Sequence, residues 1–237
     1  MSLTESLHLT QPPIAVCFAE ELPDGVKLFS GSVPAGCRFW QEASKQVFAT
    51  TAIHHDLCSI GTYTHNLGTS PDLGDALKVF ADLGYVREQD LPLIPVLNRK
   101  AEYVIYGPLD AVPLSPDVVL LFVRADQTLI LSEASQQLEM GLPPAMGRPA
   151  CAVIPQAFNS GRTALSLGCC GARAYLDILT PDVALYAIPG AMLEAFTERV
   201  EELAKANQIL TAFHTLRRKD VESGLHPTVK ESLAALN

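Results

Sequence analysis

The sequence predicts an α/β or α+β fold, a mixed sheet with flanking helices, and three observations lead there. Apolar runs rich in β-branched residues, IAVCFAE (14–20) and VVLLFV (118–123), alternate with segments of helical spacing. Each run enters an acidic turn and then a segment containing Glu-Ala-Ser, at Glu42–Ser44 and at Glu133–Ser135. Each half later presents a strand that enters a Gly/Cys turn, Cys58-Ser59-Ile60-Gly61 in the first and Cys169-Cys170-Gly171 in the second. An internal duplication is the reading these echoes support. It divides a single domain, 1–190, into halves 12–105 and 112–190, with a C-terminal helical segment over 191–237.

Taken in order, residues 3–10 predict a short helix stopped by Pro12-Pro13, followed by the buried strand 14–20. LPDG (22–25) is a turn and VKLFSGSV (26–33) a weaker strand. CRFWQEASKQ (37–46) has helical spacing, with Phe39, Ala43 and Val47 at four-residue steps. VFATTAI (47–53) reads as a strand, and Ser70-Pro71-Asp72 starts a helix through Leu77 and Phe80. One strand is expected from Ile94 to Ile105, closed by Gly107-Pro108. After the strand 118–123, TLILSEASQQLEM (128–140) is helical, PACAVIPQA (149–157) a strand candidate, and TALSLG (163–168) a strand. From Ala191 to Val221 an amphipathic helix aligns Leu193, Phe196, Val200, Leu203, Leu210 and Phe213. HPTVKESLAALN holds one short further helix.

Composition narrows the function. With 237 residues, 48% hydrophobic and 18% charged, the chain can bury a core without disulfide staples. A net charge of -9 excludes a nucleic-acid role, since phosphate binding needs a basic surface. The start MSLTESLHLT lacks the pattern of a signal peptide, and no apolar run approaches the ~18 residues of a membrane span. A cytoplasmic protein with reduced thiols is expected. Its six cysteines are then buried hydrophobes, metal or cluster ligands, or nucleophiles.

Two stretches concentrate the chemistry. HHDLCSIGTYTH (54–65) carries three histidines and a cysteine. His55 and Cys58, three apart, face the same way on a helical turn, and His65 follows seven residues later. Imidazole with thiolate is a common ligand mix for zinc and iron, though local capping by His54 and His55 with plain packing of Cys58 explains the same residues. In SLGCCGAR (166–173), Gly168 and Gly171 bracket two cysteines in a turn with exposed amides, a setting for a thiolate or a cluster sulfur. Cys169 is the functional member of the pair in this reading. Arg173, and Arg38 in the first half, are positioned to hold an anionic ligand. The bland alternative is a small-residue crossing of two backbones.

Cys37 opens a predicted helix, where amides and dipole would lower its pKa; burial beside Trp40 is the competing reading. Cys37, Cys58, Cys151 and Cys169 together match the four thiolates of an iron–sulfur cluster, although separations of 21, 93 and 18 residues follow no compact ferredoxin run. Cys17 lies in a buried strand. The chain has no GxGxxG after a strand, no Gly-rich loop ending in Lys-Ser/Thr, no GxSxG and no CxxC.

The motifs resemble the domain-of-unknown-function family 169. They are Pro12-Pro13-Ile14-Ala15-Val16, Cys37 before Trp40 and Ala43, and His55-x-x-Cys58-x-x-Gly61 with Tyr63-Thr64-His65. Ser115-Pro116-Asp117-Val118, the run Ser166 to Arg173, and Ile188-Pro189-Gly190 complete the set, which spans 12 to about 190. The resemblance brings no assigned activity. The family's abundance in anaerobic archaea and bacteria implies an oxygen-sensitive metal or iron–sulfur role.

Three readings follow. The first is a metal site (iron–sulfur cluster, Fe or Zn) built from Cys37, His55, Cys58, His65 and Cys169. The second is a metal-free enzyme or anionic small-ligand binder, with Cys58 or Cys37 as nucleophile, His55 as its base, and Arg173 and Arg38 steering the anion. The third is a haem binder using a clustered histidine or cysteine as axial ligand. A small molecule or redox protein is the expected partner, with no membrane, and a homodimer would form through the helix 191–221.

Overall fold

The computed structural model describes residues 2–68, 70–141, 145–146 and 149–236. Seven strands form one sheet: β1 (Ile14–Ala19), β2 (Phe48–Thr50), β3 (Tyr103–Pro108), β4 (Val118–Val123), β5 (Ala145–Met146), β6 (Ala164–Ser166) and β7 (Ala184–Pro189). Their order is β2-β3-β1-β4-β7-β6-β5. Every neighbouring pair is antiparallel except β5 and β6, which run parallel, so the sheet is mixed as expected.

The order has a plain symmetry. Outward from the centre it reads β1, β3, β2 on one arm and β4, β7, β6, β5 on the other, so the arms match once the two-residue β5 at the far edge is set aside. In each arm the earliest strand lies at the centre, the next goes outside, and the last returns between them. The central strands are apolar at every position because helices or loops cover both faces. β4 is buried throughout, and its alternate residues Val118, Leu120 and Phe122 enter one core while Val119, Leu121 and Val123 enter the other.

On the first face sit α2 (Arg38–Ala43), α3 (Ser59–Thr64), α6 (Val153–Ser160) and α7 (Cys170–Tyr175), with Phe39, Trp40, Ile154 and Ala157 filling the space over Tyr106, Leu120 and Leu185. The second face carries α1 (Leu3–Leu7), α5 (Ala125–Gln137) and α8 (Leu193–Glu222), which pack Leu3, Leu131, Phe196 and Val200 against Leu121 and Tyr186. α4 (Leu73–Asp82) lies outside the first layer, and α9 (Val229–Ala234) folds back on the end of α8, where the Arg217 guanidinium donates to the Pro227 carbonyl at 2.8 Å.

Several expectations are corrected. The stretch 149–157 is a 3-10 turn running into α6, because Ala150, Val153, Ile154 and Ala157 repeat at helical spacing and Pro155 sits in the first turn, where its missing amide costs nothing. The strand expected from Ile94 begins only at Tyr103. The preceding segment is held by a side-chain amide instead of a strand ladder: Asn98 donates its backbone N–H to Asn159 Oδ1 at 3.0 Å, and Asn159 Nδ2 donates to the Val96 carbonyl at 2.7 Å. VKLFSGSV forms a single bridge, Leu28 to Ala49. Residues 51–53 leave β2 for a 3-10 turn. The helix beyond 190 packs on the body through Phe196 and Val200 of the second core, while Leu210 of the expected stripe is exposed.

Two motifs far apart in the chain meet at one end of the central strands. The Asp117 carboxylate accepts the Phe18 amide at 2.7 Å and pairs with Arg99 at 3.2 Å. Gly190 donates its N–H to the Asp117 carbonyl at 2.8 Å, and a Cβ at 190 would fall onto the Pro116 carbonyl oxygen. Pro189-Gly190 and Pro116-Asp117 are thus constrained by each other.

A thiol-lined cavity at the candidate functional site

Four loops converge over the first face of the sheet, and each ends by starting a helix. Cys37 is the N-cap of α2, Cys58 the N-cap of α3 and Cys169 the N-cap of α7; Cys151 lies in the 3-10 turn that opens α6. All four sulfur-bearing residues line one cavity of about 500 Å³, together with Cys170 at its rim. The symmetry of the sheet extends to them. Cys37 and Cys151 each precede the helix before an outer strand, and Cys58 and Cys169 each follow that strand. All six cysteines of the chain are free thiols.

The Cys58 side of the cavity is tightly built. A Cβ added to Gly61 would stand 2.9 Å from Cys58 Sγ, and one on Gly36 would stand 3.0 Å from His55 Nδ1 and 3.7 Å from the same sulfur. These two glycines therefore make room for the Cys58 thiol and the His55 ring. Thr50 Oγ1 donates to the Val104 carbonyl at 3.2 Å and lies 3.0 Å from His55 Nε2. Since the carbonyl can only accept, the hydroxyl proton goes there and Nε2 is the protonated nitrogen. His55 Nδ1 is left as a bare lone pair, buried and without a hydrogen-bond partner. Burial first, and then the neighbouring His65 and His54, keep this imidazole neutral by lowering its pKa well below the usual value.

His65 repeats the arrangement. Its Nδ1 donates to the Gly61 carbonyl at 3.0 Å, while Nε2 is buried and unpartnered. Burial lowers its pKa to about 4, against a small opposing effect of the Gly61 bond. The two rings stand 5.9 Å apart. His54, by contrast, is a capping residue: Nδ1 accepts the Thr51 amide at 3.1 Å and Nε2 donates to the Phe29 carbonyl at 3.1 Å.

The buried thiols are protonated. Burial pushes Cys37 up to about 12, with Cys58 and Cys169 nearby adding to the effect, and burial raises Cys151 as well, reinforced by Cys58. The lowered thiol expected at the start of α2 is therefore reversed, because loss of solvent outweighs the dipole of a six-residue helix. Thr64 Oγ1 lies 3.3 Å from Cys151 Sγ and links the end of α3 to the start of α6. Tyr106, fully buried on β3, has an unpartnered hydroxyl; burial and the nearby Cys151, Cys58 and Cys37 all raise its pKa.

The structure thus gathers Cys37, Cys58 and Cys169 of the expected ligand set and adds Cys151. His55 and His65 are close to that wall but do not line the cavity. Among the described residues, no group of three or more His, Cys, Asp or Glu side chains is placed as it stands to hold a metal ion. The two arginines expected to steer an anion are engaged elsewhere. Arg173 donates to the carbonyls of Leu167, Leu179, Thr180 and Val183, tying the loop before β7 to the turn before α7. Arg38 donates to the Tyr175 carbonyl at 2.9 Å and pairs with Asp177 at 3.5 Å. Neither lines the cavity.

The sequence offers Cys151 as one of four cluster thiolates, though not as a ligand of the mixed histidine–cysteine site, and gives no sign of the parts played by Tyr106 and Gly36. The echo of Cys37 by Cys151, each a cysteine ahead of a helix that leads to an outer strand, was the available signal. No helix among the described residues is long and apolar enough to cross a membrane. The model of the domain-of-unknown-function family 169, described as uncharacterised ArCR, matches residues 2–199. No curated protein and no solved structure matches the chain.

Proposed function

The chain belongs to the domain-of-unknown-function family 169, whose description names no activity, and from the site alone we propose that it is a metal- or iron–sulfur-binding protein. One observation carries this reading: four cysteines, each from the start of a different helix, line one cavity. Four thiolates are what an iron–sulfur cluster or a tetrahedral zinc site requires. Loading would turn the sulfurs toward one another and release their protons, so affinity would rise with pH because Cys37 begins protonated, with a pKa of about 12. The bare Nδ1 of His55 beside Cys58 supplies a nitrogen that could replace one sulfur as a ligand. The matching strand order of the arms supports an internal duplication, with one cysteine pair contributed by each copy. A reducing, cytoplasmic setting fits six free thiols.

A metal-free cysteine enzyme or small-ligand binder is the second reading, favoured by the exposed Cys170 at the rim. Its anionic version loses support because Arg38 and Arg173 are bound to the fold. Haem is favoured by nothing comparable: no charged side chain among the described lining residues would meet its propionates. A homodimer would use the outer part of α8, where Ile209, Leu210 and Val221 are exposed.

The test is metal and sulfide analysis with a visible spectrum on protein purified without oxygen and without a histidine tag. Roughly stoichiometric metal is expected. Cys58→Ser, Cys151→Ser and Cys169→Ser should each reduce it at least about tenfold, since removing a group that only hydrogen-bonds to a metal ligand already costs that much. Full retention of metal in all three variants, or failure of the wild-type chain to take up iron or zinc on anaerobic reconstitution, would sink the proposal.

A further inference from the structure

The thiols make up one part of the cavity lining, its floor. Another part is made by α4 and the turn after it, through Ala76, Leu77, Phe80, Val86, Leu91 and Ile94. Along α4 the residues Leu73, Ala76, Leu77 and Phe80 recur at helical spacing and are half-buried, whereas Asp75, Lys78, Val79 and Asp82 on the other side are exposed. No residue of this strongly amphipathic helix is fully buried. An apolar stripe of this kind ordinarily packs against a core. Here it faces the cavity.

We propose that this outer compartment binds an uncharged, largely apolar small molecule and holds it against the thiol floor. The inference rests on the metal-site reading for what the floor would do to such a molecule, though not for its binding. A volume of about 500 Å³ falls within the ~300–1,000 Å³ of small-molecule sites, while a metal ion or cluster on the sulfurs would fill the floor alone. None of the described lining residues is charged. A charged ligand would lose its hydration there without gaining a counter-ion, so the chemistry selects neutral aromatic or short-chain molecules. Polar handles are few: the Ser59 hydroxyl, the phenols of Tyr85 and Tyr175, and the thiols.

The full chain, as purified and after metal loading, is titrated with the neutral fluorophore N-phenyl-1-naphthylamine. Saturable binding is expected, and Leu77→Asp or Phe80→Asp should weaken it at least about tenfold, because a carboxylate enters the apolar wall. Val79→Asp, on the solvent side of the same helix, should leave it within about twofold. The anionic 8-anilinonaphthalene-1-sulfonate should bind about tenfold more weakly. Circular dichroism checks that each variant folds; α4 contributes nothing to the buried cores, so the substitutions are tolerable. Non-saturable uptake, equal loss in Val79→Asp, or tighter binding of the anion overturns the proposal. The doubly substituted Cys58→Ser, Cys169→Ser chain separates the two readings: it should lose metal yet keep the neutral probe. Metal binding without saturable probe binding would overturn this inference alone, and probe binding without any metal would overturn the metal-site reading alone.

Discussion

The two arms of the sheet deliver a cysteine to the same cavity by the same path, yet finish the delivery differently. In the first arm, the turn from Thr50 to Cys58 is anchored by a buried histidine: His55 is 1% exposed although Ile53 and Leu57 on the same turn face solvent, Gly36 and Gly61 make room beside Cys58 Sγ, and the sulfur caps no amide. In the second, Cys169 accepts the Ala172 amide at 3.4 Å, Cys170 is exposed beside it, and no histidine is near in sequence. The Ser166 hydroxyl, accepting the Gly168 amide at 3.1 Å, and Arg173 hold the loop through backbone groups alone. The first arm thus provides a rigid wall with a poised lone pair. The second provides the accessible side, through which a ligand would enter.

Thiol labelling tests this contrast most strongly. With iodoacetamide near neutral pH, Cys170 should react at least about a hundredfold faster than Cys37 or Cys151, whose buried thiols are almost entirely protonated. Site-resolved mass spectrometry reads the rates, and equal labelling of Cys37 and Cys170 would erase the distinction between the arms.

A matched pair of glycine substitutions gives a smaller effect. A Cβ at Gly61 displaces Cys58 Sγ, whereas one at Gly171 meets only the Tyr175 ring at an ordinary 3.7 Å. Gly61→Ala should lower metal affinity about tenfold and Gly171→Ala should leave it within about threefold, as expected for moving one ligand against moving none. Similar affinities for the two variants would show that the Cys58 wall is not rigid.

The buried histidines predict a pH dependence confined to the first arm. His65 titrates near 6.5 when unfolded and at about 4 when folded. Its stabilisation is complete above pH 6.5 and is lost as pH falls toward 4, because the unfolded chain binds the proton first. Urea unfolding across that window should show a loss of about 3 kcal/mol from this residue. His65→Asn, which keeps a donor for the Gly61 carbonyl, should make the profile shallower without abolishing it, because the pKa of buried His55 is lowered as well; an unchanged slope would remove His65 as a source.

The weakest expected effect concerns α8. Sedimentation of Leu210→Asp beside wild type tests the homodimer, with a fall in association of a few-fold expected and no change counting against that interface.

The parts of this molecule that could be read from sequence are those fixed locally. β1 and β4 announced themselves as unbroken apolar runs, and α5 and α8 by their spacing. β7, central to the second arm, escaped notice because ALYAIP is short and lies between the loop at Pro181 and the Pro189-Gly190 end. Val153 and Ile154 suggested a strand because β-branched residues favour one, until burial on a single helical face outweighed that preference. The four-thiol set, Cys151 included, was visible as a count, while a separation of 93 residues gave no local sign that Cys58 would meet Cys151. What brings it to the cavity is the path of the second arm, a tertiary fact. The partners of Arg173 and Arg38 have the same origin, since both donate to carbonyls that the sequence does not place.

The seam between the arms is narrow. β1 and β4 pair over three residues, Ile14–Val16 with Leu120–Val118, while β1–β3 and β4–β7 each pair over six. The cavity spans that seam, with Cys37 and Cys58 contributed by one side and Cys151 and Cys169 by the other. An occupant gripping all four would act as a cross-brace, joining two units whose own hydrogen-bonded junction is short. By mass action, a ligand at a hundred times its dissociation constant adds about 2.7 kcal/mol to whatever state it requires. Here that state is the one with both arms engaged, so filling the cavity would add to the hold that the shared core of the first face already gives them.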